Sequence, residues 1–128
     1  MSMRKIKFRG KRLSTREWVY GSLIQWKDGT MTIITENKED HSEFYVNPDT
    51  VGQYTGLQDR NGQDVYEGDL LRTSEGNIMI AEWVESGIVT RCLTPTYDGM
   101  MNTNRHAFPV SEKIGTIHDN PELLEDGK

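Results

Sequence analysis

The hexapeptide Asp59-Arg60-Asn61-Gly62-Gln63-Asp64 sets oxygen-bearing side chains around a glycine, much as a calcium-binding loop begins. Its glycine is fourth instead of sixth, however, and the twelfth position is Leu70 where a bidentate glutamate is needed. A calcium loop is excluded. Glu67 and Asp69, flanking Gly68, offer a carboxylate pair for acid–base work, but carboxylates in a glycine turn are expected to be solvated. Asp28 with Glu36-Asn37-Lys38 follows the order of metal-dependent nucleases, where carboxylates hold a divalent cation and the lysine assists at the scissile phosphate. That remote alternative lacks the flanking helices such sites use. His41, His106 and His118 have no second ligand at metal spacing, and Cys92, the one cysteine, reads as a core residue of an alternating run. No phosphate loop, nucleophile elbow or dinucleotide fingerprint is present. No metal, cofactor or catalytic residue is expected.

The elements that would carry these groups are strands. In "KIKFRG", Lys5, Lys7 and Arg9 alternate with Ile6 and Phe8, which places cations on one face of an extended strand and apolar groups on the other. "EWVYGSLIQW" and "TMTIITE" follow, separated by Lys27-Asp28-Gly29, a hairpin signal. A polar run leads to "FYV" and an Asn47-Pro48-Asp49 turn, and later come "NIMIAEWVE", "IVTRCLT", "HAFPV" and "KIGTIHD". Helical signals are confined to residues 13–17 and to Asn120-Pro121-Glu122-Leu123-Leu124-Glu125, where Asn120 is placed as an N-cap and proline at the first helical position.

Around Asn61-Gly62 two hairpin registers compete. A two-residue turn sets Asp59 opposite Asp64, like charges face to face. A type I turn over Asp59-Arg60-Asn61-Gly62, with Asp59 as cap and Gly62 in a left-handed bulge, instead pairs Leu57 with Val65. It also sets Gly56 opposite Tyr66 and Gly68 opposite Tyr54, so that each bare glycine is expected beneath a tyrosine ring. The bulged register is preferred because a one-residue slip undoes every pairing.

Charge is divided unevenly. Residues 1–16 hold seven Lys or Arg and no acid, which leaves eight basic and twenty acidic residues in the rest of a chain of 128 with net charge -5. Such a split suits a partner surface, docking of the basic strand on an acidic body, or a nucleic-acid arm. Hydrophobic residues make up only 34% of the chain and its mean hydropathy is -0.70, yet three Trp, five Tyr and three Phe argue for a folded protein with a thin core. No secretory leader or long apolar span is read, so a reducing cytoplasm is expected, without membrane association.

The segment "TVGQYTGLQDRNGQDVYEGDLL", with "RKIKFRG" before it and "IGTIHDNPELLE" after it, resembles the YopX family of bacteriophage and prophage proteins. Thr55-Gly56-Leu57, Asp59, Asn61-Gly62 and Tyr66-Glu67-Gly68-Asp69 carry the central signature, supported by Gly115, Ile117 and Asn120-Pro121-Glu122-Leu123-Leu124. The resemblance implies a β-rich fold and a setting in phages and prophages of Gram-positive bacteria, and it assigns no site residues.

The expectation is one mainly β domain over 1–128, with seven or eight short antiparallel strands in a barrel-like or strongly bent sheet and at most one or two helical turns. Its expected role is that of a non-enzymatic accessory protein in the bacterial host cytoplasm, engaging a host or phage protein or a second copy through Lys5, Lys7, Arg9, Lys11 and Arg12. Tyr54, Gly56, Leu57, Asp59, Asn61, Gly62, Val65, Tyr66 and Gly68 are assigned to the structural hairpin. The alternative is a small β-barrel that binds single-stranded DNA or RNA, with Phe8, Trp18, Tyr20 and Trp26 as stacking rings beside the basic strand.

Overall fold

The computed structural model describes residues 6–35, 42–74, 76–84, 87–92 and 111–123. Ten strands are found among them: β1 (Phe8–Lys11), β2 (Trp18–Gln25), β3 (Met31–Ile34), β4 (Glu43–Val46), β5 (Gly52–Gln58), β6 (Asp64–Tyr66), β7 (Asp69–Arg72), β8 (Ile78–Val84), β9 (Gly87–Cys92) and β10 (Glu112–Thr116). The protein is mainly β, and the pairs β1–β2, β1–β5, β2–β3, β3–β4, β7–β8, β8–β9 and β7–β10 are antiparallel. The count exceeds seven or eight because the hairpin around Asn61-Gly62 adds strands of its own, and Gly68, at φ +92°, breaks its second arm into β6 and β7. The expected strand "HAFPV" lies outside the described residues.

The chain divides into two compact units, 1–54 and 55–128. In the first, the strand order is β4-β3-β2-β1-β5. The sheet is strongly bent without being a closed barrel: β4 meets the chain just beyond β1 at a single bridge, Arg12 to Val46. Backbone bonds from Asn47 N–H to the Lys11 carbonyl and from Leu13 N–H to the Tyr45 carbonyl hold that meeting point. Ile33 and Val46 are buried, and Gly10 leaves them room, since an added Cβ would lie 3.0 Å from Val46. Asn47 caps a 3₁₀ turn at Pro48–Thr50 by accepting the Asp49 N–H.

Gly21 marks the tightest approach between strands in this unit. A Cβ there would fall on the Ile34 carbonyl oxygen and lie 2.8 Å from its carbon, and neither backbone atom can turn aside. Gly21→Ala is expected to lower the unfolding free energy by about 1–3 kcal/mol. Urea denaturation checks this, and an unchanged midpoint would contradict it.

In the second unit, the later part of β5 is joined to β6, and a four-stranded sheet has the order β10-β7-β8-β9. Leu57 packs on buried Val65, Leu71 and Ala81, while Leu70, Ile78 and Ile80 gather Ile114, Ile117 and Leu123. Apolar burial on this scale, roughly 2 kcal/mol for each full side chain, supplies the main cohesion.

Three hairpins share one turn geometry. In 26–30, 59–63 and 73–77 the first residue's N–H donates to the fifth residue's carbonyl, and the fourth residue, a glycine, donates to the first. Those glycines, Gly29, Gly62 and Gly76, have φ of +93°, +79° and +88°. This is the bulged type I form.

The expected tyrosine cover is not found at Gly56. Gly56 stands at φ +83° with nothing within 4 Å of an added Cβ, so no ring lies over it. Gly68 sits in the turn after β6 and is engaged through its backbone, donating to Ala81 and accepting from Ile117. Both glycines serve backbone conformations that L residues avoid, which alternation alone does not disclose. Asn120 is also turned the other way from an N-cap: its Oδ1 accepts the Thr116 N–H, 3.2 Å away, in space left by Gly115.

Candidate functional site

The cations of the first strand lie on rings. Lys7 Nζ is 4.8 Å from the Tyr54 ring centroid, and the Arg9 guanidinium and Lys11 ammonium lie 4.4 and 5.3 Å over Trp18. Strand alternation explains this, since Arg9 pairs with Tyr20 and Lys11 with Trp18 across the β1–β2 ladder. Arg9 is only 1% exposed, which places it inside the unit and not on a docking surface. Arg12 leaves the alternation and stacks 4.1 Å from Phe44. Lys5 lies outside the described residues. Of the five expected interaction residues, Lys11 and Arg12 are thus brought together with a partly open setting.

That setting is a hollow of about 300 Å³ lined by Lys11, Arg12, Leu13, Arg16, Asn47 and Thr50. The loop from β1 to β2 forms one wall, closed by Arg12 N–H to Glu17 and Arg16 N–H to Arg12 carbonyl. The 3₁₀ turn forms the other, where Thr50 Oγ accepts the Lys11 N–H and donates to the Asn47 carbonyl. Arg16, which the sequence reading passed over, belongs to this cationic group; its signal was the acid-free run extending to residue 16.

Exposed large apolar side chains among the described residues are Ile6, Leu13, Tyr20, Trp26 and Tyr45, all in the first unit. Register places Tyr20 and Tyr45 on the face that also carries Lys7 and Lys11, with Trp26 held there by its Nε1–H to Thr32 Oγ. The face opposite contains Ile33 and Val46.

In the second unit, Asp59 ties its own turn to β10. The Asp59 carboxylate accepts from the backbone N–H groups of Asn61, Gln63 and Lys113, each at 2.9 Å. Burial alone would raise its pKa, but those bonds and the nearby Lys113 charge hold it below the ordinary value. Asp69 is 0% exposed, which corrects the expectation of a solvated carboxylate: it accepts the Tyr66 N–H at 2.7 Å and pairs with Lys113 Nζ at 3.1 Å. Lys113 Nζ also donates to the Asp64 carbonyl, 3.2 Å away, and lies over the Tyr66 ring.

Of the nuclease grouping, only Asp28 lies among the described residues. Asp28 Oδ1 accepts from Thr30 Oγ and Thr30 N–H, which lowers its pKa, while Glu36, Asn37 and Lys38 lie outside the described residues. So do His41 and His106; His118 follows β10 with its N–H on Thr116 Oγ, and Cys92 ends β9. Among the described residues no three His, Cys, Asp or Glu side chains form a group able to hold a metal, and no helix is long and apolar enough to cross a membrane.

The sequence profile described as YopX protein matches residues 7–125. The crystal structure of protein EF1440 from Enterococcus faecalis is similar at a TM-score of 0.57 and 20% sequence identity, covering 95% of this chain and 99% of that one, a likeness of fold. No curated protein matches.

Proposed function

We propose that this chain, which belongs to the YopX family, is a phage or prophage accessory protein of the bacterial cytoplasm that acts without catalysis, as a self-assembling protein-interaction module. One observation carries this reading: the two units are oppositely charged. Residues 1–54 hold nine Lys or Arg against seven Asp or Glu, and residues 55–128 hold six against thirteen. A basic, aromatic-bearing sheet face on one copy is complementary to the acidic unit of the next, a head-to-tail contact in which charge sets orientation and rings supply buried area.

Sedimentation of the full chain at roughly 50 mM and 500 mM salt tests this, because screening at the higher concentration acts within about 4–5 Å. Oligomers at low salt that dissociate at high salt are expected, as is a monomer for the variant Lys7→Glu/Lys11→Glu/Arg12→Glu at low salt. A monomer under all conditions, or oligomers indifferent to the triple reversal, would overturn the reading.

A second reading is supported by Tyr20 and Tyr45, exposed on the same face as the β1 lysines, an arrangement on which bases of a single strand can stack. Salt-sensitive binding of an oligothymidylate that Tyr20→Ala and Tyr45→Ala abolish would favour it over self-assembly.

A further inference from the structure

Asn61-Gly62 sets a side-chain carboxamide beside a backbone nitrogen that no side chain of its own residue shields. Attack of the Gly62 nitrogen on the Asn61 Cγ closes a cyclic imide, the route by which asparagine is lost spontaneously from proteins. Of the asparagines in the chain only Asn61 precedes glycine, while Asn47 and Asn120 precede proline, whose nitrogen has no proton to give up. Asn61 and Gly62 are both exposed to water, and an added Cβ on Gly62 would meet nothing within 4 Å. Sequence and access thus favour the reaction.

The folded turn withholds it. Gly62 N–H donates to the Asp59 carbonyl at 3.0 Å and Asp59 N–H donates to the Gln63 carbonyl at 2.9 Å, so the nitrogen that must attack is fixed in the ribbon. The third residue of a type I turn has ψ of about 0°, which turns the following nitrogen away from that residue's Cβ. The Asp59 carboxylate locks this conformation by accepting the Asn61 and Gln63 N–H groups, each at 2.9 Å. It also takes the Lys113 N–H at 2.9 Å, while Arg60 N–H donates to the Ser111 carbonyl at 2.9 Å and the Arg60 guanidinium reaches Glu112 at 3.2 Å. Rotation at Asn61 must therefore break the turn and loosen its ties to residues 111–113.

From this geometry we infer that Asn61 is a site of spontaneous deamidation, gated by the Asp59 carboxylate and by the docking of residues 111–113 on the turn. The reaction proceeds only from opened conformers, whose share is set by the bonds that must break. In them hydroxide takes the Gly62 amide proton, the N–Cγ bond forms as the Cγ–NH2 bond breaks, and ammonia leaves with a proton from water. Water then cleaves the imide at either carbonyl, which restores the backbone as aspartate or routes it through Cβ as isoaspartate. The sum is carboxamide and water to carboxylate and ammonium, with nothing oxidised or reduced. Isoaspartate lengthens the backbone by a methylene between Asp59 and Gln63, so the closure of the ribbon and the Lys113 tie no longer fit. The modification adds a negative charge and releases β10 irreversibly.

Incubation of the full chain in mildly alkaline buffer, followed by peptide mass spectrometry that resolves asparagine, aspartate and isoaspartate at position 61, tests the gate. The folded parent is expected to react at least about tenfold more slowly than the same chain in guanidinium chloride, where Asn61 should be the first asparagine lost. Asp59→Ala should raise the folded rate at least about tenfold, because a charged acceptor is removed from several bonds at once. Asp59→Asn keeps an acceptor oxygen and should fall between parent and alanine variant, so the test holds even where alanine unfolds the unit. Gly21→Ala weakens the other unit without touching the turn and should leave the rate unaltered, which separates local opening from general unfolding. A folded rate equal to that in denaturant, an unaltered rate in both Asp59 variants, equal acceleration by Gly21→Ala, or earlier loss of another asparagine in denaturant would overturn the inference.

Discussion

Lys113→Met is expected to lower the unfolding free energy by about 3–5 kcal/mol, the loss that follows when one member of a buried ion pair is removed and the other stays behind. Methionine keeps the aliphatic stem and takes away only the ammonium. Asp69 then retains a carboxylate with no exposed surface, facing the place from which Lys113 Nζ had approached to 3.1 Å. The Asp64 carbonyl also loses its 3.2 Å donor. Coupling can be separated from packing by adding Asp69→Asn, which removes the stranded charge and should recover more than about 1 kcal/mol of the loss in a double-mutant cycle. Urea denaturation of the four proteins is the measurement. A single-variant loss below about 1 kcal/mol, or strictly additive changes, would show that the pair does not hold this unit together.

Asp59→Ala is expected to cost about 3 kcal/mol, and more at neutral pH than in acid. Its carboxylate satisfies three backbone N–H groups at once, two within its own turn and one, Lys113, in β10. Alanine leaves those donors without their charged acceptor in a nearly buried place. The pH dependence follows from the lowered pKa. The folded protein binds the Asp59 proton more weakly than the unfolded chain, whose value is near 4, so this stabilisation is complete above about pH 4 and disappears as pH falls through the folded value. The separation between parent and variant in thermal melts should therefore narrow as pH falls below about 4. Equal separation of the two curves at every pH would refute the electrostatic part of the argument.

How far the sequence discloses this molecule depends on the span of each interaction. The strands at 18–25, 31–34 and 78–84 are legible because alternation is a local property, and the turn at 59–62 because Asp-Arg-Asn-Gly admits one register without opposed acids. Asp69 and Lys113 are 44 positions apart, and nothing in the neighbourhood of either residue announces the other. The carboxylate therefore read as solvated when it is fully buried. Gly56 and Gly68 differ for another reason: alternation carries no sign of φ, and both stand at positive φ. At the hollow, the positive run was plain, but only backbone coordinates show that Arg16 occupies a glycine's conformation and that Arg9, in the same run, is enclosed.

The bond from the Lys113 N–H to Asp59 also has a kinetic meaning. Tight ribbons such as 26–30, 59–63 and 73–77 close loops of a few residues and form within microseconds, whereas joining positions 54 residues apart requires a long excursion of the intervening chain. The early ribbon already orients the Asp59 carboxylate before β10 arrives, so the slow encounter meets a prepared acceptor, and the rate of reaching the native state is governed by chain search more than by local ordering.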